Sequence, residues 1–278
     1  MVLDEPVPSI QASSFFIFLE AVWRAGCLLA CLLLASYFSI TEQDERTGTN
    51  RQRTTIHEGI SDGTQDAQDN PASGAVAKRD VQHAAAFVVG EVVPDLLPRF
   101  SPVATMRLLY HPNPFGTVFF PGQRVPESLT KEQPVMRIRP VPNQPLSPLL
   151  SPHLEYTLIV VDPDVPSRIN ATSGAFLNML ATRVKLVPNA PYFDLSFPAD
   201  IVSPYSPPSP AEATGFHRYT FLLYHGLPNP QFMANNFFHS SSRFRFNLRS
   251  FVADAGLCDP IAAIFMFTEN SNDEADLL

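Results

Sequence analysis

The chain has 278 residues, 45% of them hydrophobic, enough for one sizeable core with sequence to spare. Its formal net charge of -8, with no stripe of Lys and Arg, excludes a nucleic-acid surface. With 28 prolines against 12 glycines, long helices are disfavoured and short strands with extended connections favoured, so the fold class is read as mostly β.

Residues 1–40 are read as an apolar leader helix, strongly apolar from Ser13 to Ile40, of which Ala25 to Ile40 carries no charge. That run lies between the roughly 20 residues that span a bilayer and the 10 to 14 or so of a signal-peptide core. Glu20 and Arg24 are four apart and pair on one helix face, and Trp23, Tyr37 and Phe38 suit membrane interfaces. The segment is read as a secretory signal or a membrane anchor, although Asp4 and Glu5 depart from the usual basic start. Residues 41–80 are polar and lack apolar periodicity, which predicts a disordered tether. It ends on Lys78-Arg79, a dibasic site for a kexin-type protease that would start the mature form near Asp80. Residues 81–272 make the folded domain and 273–278 an acidic tail. Cys27 and Cys31 lie in the apolar leader and Cys258 alone lies in the domain, so no disulfide within the domain is expected and the fold must rest on packing.

Within the domain, Tyr156 to Val161 is a continuous apolar run, the pattern of a strand covered on both faces. It empties into Asp162 and Asp164, and Pro163 and Pro166 prevent a helix from following. In an extended chain residues two apart share a side, so both carboxylates are expected to line one small cavity. Asn170-Ala171-Thr172 is a glycosylation sequon on a predicted surface loop. A second strand starts at Gly215-Phe216-His217-Arg218-Tyr219 and turns fully apolar, with His217 and Tyr219 on one face and Arg218 on the other. Ser242 to Gly256 predicts a helix capped by Asn247, with Leu248, Phe251, Val252 and Ala255 on its covered face and Gly256 ending it.

Together the two strands resemble the phosphatidylethanolamine-binding protein (PEBP) family, in a divergent, fungal-type form. The family signature is a strand ending in Asp-Pro-Asp-x-Pro-Ser-Arg, here Asp162 to Arg168, followed by Gly-x-His-Arg-Tyr, here Gly215 to Tyr219. Val92-Val93-Pro94-Asp95-Leu96-Leu97-Pro98, with Pro121-Gly122 and Thr130 to Pro134, resembles the family's opening. Phe251 to Ala262 resembles its late helix and last strand. The likeness runs over about residues 84 to 272 and implies a PEBP-like β-sandwich with a few peripheral helices.

The resemblance also implies that Asp162, His217 and Tyr219 line a small anion pocket, with Asp164 close by and Pro207-Pro208 as its rim. An imidazole and a phenol donate hydrogen bonds to a phosphate or carboxylate, while a neighbouring carboxylate orients the imidazole. A purely structural reading stays open, in which Asp162 caps the turn, His217 is a satisfied core histidine and Arg218 pairs with a carboxylate. The chain departs from the family at Ser173 to Asn178, where a Trp-His-His type motif is usual and no histidine stands. Met266 or Phe267 replaces a late aromatic, and Ser209 to Thr214 is an insertion expected to leave a larger, more apolar pocket.

Three functions follow from these residues and the resemblance. The first is a non-catalytic binding module for a small anion or carboxylate, or for a partner enzyme. It fits a sequence without metal-spaced His and Cys, a nucleophile elbow or a glycine-rich phosphate loop, so neither metal nor cofactor is expected. The second is inhibition of a serine carboxypeptidase, as some fungal relatives do. The third is an auxiliary role in fungal secondary metabolism, coupling anhydride monomers to maleidride-type products. There His217 or Asp162 would abstract a proton and Tyr219 would steady the enolate, on family analogy alone. The leader, the sequon and the dibasic pair point to the secretory pathway, membrane-anchored or secreted.

Overall fold

A computed structural model describes residues 85–110, 117–141, 145–198, 201–236, 243–270 and 272. The leader, the tether with Lys78-Arg79, Cys27, Cys31 and residues 273–278 lie outside the described residues. Among the described residues no helix is long and apolar enough to cross a membrane.

The apolar run forms strand β5, Tyr156–Asp162, with every residue buried, as a strand covered on both faces requires. It pairs antiparallel with β8, His217–His225, and with the long β6, Phe176–Asn189. The other strands are β1 (Ala104–Leu109), β2 (Thr117–Val118), β3 (Gln123–Arg124), β4 (Val135–Pro140), β7 (Tyr192–Ser196) and β9 (Ala262–Thr268). Their order is β2-β1-β4-β7-β6-β5-β8-β9-β3. β6 serves both halves of that order, first pairing with β5 and then with β7. Between the two pairings Arg183 takes a left-handed φ of 57° where the β5–β6 register slips, a bulge that turns the strand from one half to the other.

The halves fold onto each other, and Ile261 O accepts hydrogen bonds from both Val103 N and Ala104 N where β1 meets the start of β9. Met106, Leu108, Met136 and Ile138 from one half pack with Leu158, Val160, Phe221 and Ile264 from the other. Strand β1 alternates buried and partly buried residues, the signature of a strand covered on one side only. The outer face of β5, β6, β8 and β9 carries Ile159, Val161, Leu180, Leu222 and Phe265. It is covered by Phe87, Val92, Val93, Leu96 and Leu97 from the entering segment and by helix α2, Leu248–Asp254. The expected mostly β sandwich with peripheral helices is what the chain builds.

Gly90 belongs to that cover because a Cβ there would stand 2.3 Å from the Phe265 ring. Helix α2 has the expected caps: the Asn247 side chain accepts from Ser250 N at 3.0 Å, and Gly256 follows with a φ of 72°. Leu248, Phe251 and Ala255 are buried and Val252 packs against them. The helix begins at Leu248, however, and not at Ser242. Phe244 and Arg245 form a turn, with Arg245 left-handed at φ 59°, and Phe246 N bonds Ala175 O at 2.9 Å, so the helix does not extend back through these residues. A short helix that sequence reading missed, α1 (Pro230–Asn235), starts where the Asn229 side chain accepts from Gln231 N and Phe232 N.

Candidate functional site

Asp162 ends β5 and His217 begins β8, and antiparallel pairing brings the two strand ends together. His217 Nδ1 lies 2.8 Å from Asp162 Oδ2, and both side chains are buried. Tyr219 follows on the same face, its ring stacked on His217 at 6.4 Å between centroids and 17° between planes. Burial, then the charge of Asp162, pushes the Tyr219 phenol far above its ordinary range, so it stays a hydrogen-bond donor. The acid, imidazole and phenol therefore stand side by side at this end of β5 and β8.

What covers them is different from expectation. The inserted segment was expected to widen the pocket, but it folds inward onto it. Thr214 Oγ1 lies 3.0 Å from His217 Nε2 and donates to Ala211 O at 2.6 Å. A hydroxyl has one proton, so having given it to Ala211 the Thr214 oxygen acts toward His217 as an acceptor. Asp162 accepts at Oδ1 from Asp164 N at 2.9 Å, which leaves Oδ2 as acceptor for the ring. His217 Nδ1 thus faces a carboxylate and Nε2 a hydroxyl oxygen. With His217 2%, Tyr219 2% and Asp162 4% exposed, the floor of the site is sealed. Pro208 is buried rather than standing at an open rim, and Asn270 Nδ2 fastens the insertion through Pro210 O at 2.8 Å.

Asp164 corrects another expectation. The two carboxylates do not share a cavity, because the strand ends at Asp162 and the Asp162–Asp164 turn redirects the chain. Asp164, 0% exposed, instead receives Arg218 Nη2 at 2.5 Å, Arg218 Nε at 2.9 Å and the Arg218 backbone N at 2.8 Å. Arg218 also reaches Asp95 at 2.9 Å and Gly90 O at 3.2 Å. Burial alone would lower the Arg218 guanidinium; the hydrogen bonds and charge of Asp164, then of Asp95, carry it above its ordinary value. This half of the motif is an ion-pair lock holding the entering segment.

Asn178 stands in the stretch where the family histidines would be and was not singled out as a site residue. It is buried on β6, where Nδ2 donates to Ser206 O at 3.0 Å and Oδ1 has no partner among the described residues. Met266, 0% exposed, sits opposite Tyr219 across β8 and β9. Glu127, 5% exposed and bonded to Lys131, contributes its charge to the Tyr219 environment, and its distance in sequence left no signal. Thr214 was within an insertion already marked, three residues before His217 across the left-handed Gly215, and that spacing was the available clue. Asn170 is exposed on its loop.

Residues 115–258 match the family model for phosphatidylethanolamine-binding protein. The chain is 31% identical over 179 residues to Protein BROTHER of FT and TFL 1 of Arabidopsis thaliana, covering 64% of this chain and 88% of the relative. It is also 31% identical over 182 residues to Protein FLOWERING LOCUS T of Arabidopsis thaliana, covering 64% and 87%. Among solved structures, carboxypeptidase Y inhibitor complexed with its cognate proteinase shares the fold at a TM-score of 0.56 and 19% identity, over 69% of this chain and 96% of that one. Fold, motif order and these matches agree: the chain belongs to the phosphatidylethanolamine-binding protein family.

Proposed function

We propose that the protein is a non-catalytic binding module whose pocket, floored by Asp162, His217 and Tyr219, takes one oxygen of a small anion or carboxylate on His217 Nε2. The observation that carries this reading is the Thr214 hydroxyl, which accepts from that nitrogen at 3.0 Å and so stands where a ligand oxygen would stand. A ligand binds by displacing Thr214, and the inserted loop sets a threshold that the ligand must exceed. Thr214→Val keeps the side-chain shape and removes the competing acceptor. Titration with inorganic phosphate and with acetate, followed calorimetrically, is expected to show about tenfold tighter binding in this variant, the size of one charge-assisted hydrogen bond. No saturable binding of either anion by the wild type or the variant overturns the reading.

The likeness of fold to a carboxypeptidase inhibitor supports a second reading, inhibition of a serine carboxypeptidase. Titrating such a peptidase with the purified chain tests it, and an unchanged rate at micromolar protein discards it. The secretory route is part of the proposal, resting on the leader and on the exposed sequon at Asn170. An unaltered mass after treatment with an N-glycosidase would remove the glycan from it.

A further inference from the structure

On the opposite side of β8 from His217, the loops meet around a cleft of about 620 Å³ whose wall includes Arg168, Arg218, Arg245 and Arg249 and a single acid, Asp95. Four guanidinia around one hollow is a pronounced local excess in a chain of net charge -8. Their commitments differ. Arg218 is neutralised by Asp164 and Asp95, and Arg168 by Glu91 at 2.7 Å. Among the described residues Arg249 donates only to backbone carbonyls, those of Pro94, Asp95 and Leu96, and pairs with no carboxylate. Arg245 is exposed and has no hydrogen-bond or ion-pair partner among the described residues. It is nonetheless held in place: its backbone is left-handed at φ 59°, Phe246 beside it bridges to Ala175, and Gly174 runs so close that a Cβ there would lie 3.3 Å from Arg245 Cα.

We infer that this cleft is a second ligand site, separate from the pocket under Thr214, and that it binds a small organic acid: an oxyanion, carboxylate or phosphate, on a short apolar body. The positive end is supplied by Arg245 and Arg249, whose planar forks suit an oxyanion. The apolar body rests on Pro163, Ala175 and Phe246, which line the same hollow. The volume falls within the roughly 300–1,000 Å³ of small-molecule sites. A left-handed arginine is a costly choice for a loop, since glycine adopts that backbone freely. The guanidinium at this position thus comes at the expense of local conformational ease, as expected of a side chain kept for its chemistry.

The inference is independent of the proposed anion pocket, and the experiment separates the two. Phenyl phosphate and benzoate are titrated into the full chain by calorimetry and by amide chemical-shift mapping, with inorganic phosphate as the control lacking an apolar body. Saturable binding of at least one aryl probe is expected, tighter than that of phosphate, with shifts at Gly174 and Asn247 and none at Gly215. Arg245→Gly relaxes the backbone and removes the charge, so its thermal midpoint is expected to stay level or rise while aryl binding weakens about tenfold or more. Arg245→Lys should recover part of the loss. The inference is overturned by absence of aryl binding to the wild type, by undiminished binding in Arg245→Gly, or by shifts confined to Gly215 and its neighbours.

Discussion

Asp162 and Asp164 stand two residues apart in one motif and do opposite work. Asp162 faces an imidazole and a phenol under a loop that supplies its own acceptor; Asp164 is sunk against a guanidinium that also ties down Gly90 and Asp95. A carboxylate held by a few hydrogen bonds beneath an inserted loop suits the proposed exchange of one oxygen for another. A carboxylate gripped at both oxygens by an arginine, with no exposure, belongs to the frame. On the proposed reading, the motif couples recognition to architecture through one turn of chain.

The contrast breaks most completely at Arg218. Arg218→Leu leaves Asp164 buried without its guanidinium, keeping only the backbone N of residue 218, and is expected to cost about 3–5 kcal/mol in urea unfolding, with faster amide exchange in residues 85–97. A loss below about 1 kcal/mol would mean that the lock is not structural. His217→Gln removes one of the acid's hydrogen-bond partners without stranding a fully buried ion, so a smaller loss of about 1–3 kcal/mol is expected, together with loss of phosphate binding. If this variant proved less stable than Arg218→Leu, the division between frame and site would be reversed. Thr214→Val should change stability by about 1 kcal/mol or less while moving affinity, which makes it the sharpest separation of the two roles.

The smallest effect expected lies at the far end of β8. Burial lowers the pKa of His225, which packs edge-on against Tyr156, so the fold favours the neutral ring. Its contribution is complete above the unfolded value of about 6.5 and is lost as pH falls through the lower folded value, because the unfolded chain takes up the proton first. Unfolding midpoints of His225→Gln should therefore decline less than those of the wild type on acidification from neutral pH. Parallel curves for the two proteins would assign the acid sensitivity elsewhere.

Sequence patterns revealed the parts of the molecule that obey local rules. The unbroken apolar run marked β5, the shift from polar to apolar marked β8, and Asn247 with Gly256 marked the working ends of α2. Asp164 was misplaced because period-two alternation applies only while the chain stays extended, and the turn at Pro163 ends it. The residues before the Asn247 cap were read as helical because 243–246 have no helix breaker in their letters, and a turn with a left-handed Arg245 and a bridge from Phe246 to Ala175 occupy them instead. The arginine cleft depends on segments distant in sequence converging, from residues 95 to 249. No single window contains that information.

The entering segment is stitched to the sheet at Gly90 by Arg168 and Arg218 and at Pro94 and Leu96 by Arg249. Because Arg218 lies between His217 and Tyr219 on β8, detaching that segment would strip the guanidinium's partners Gly90 and Asp95 from the very strand that carries the candidate site.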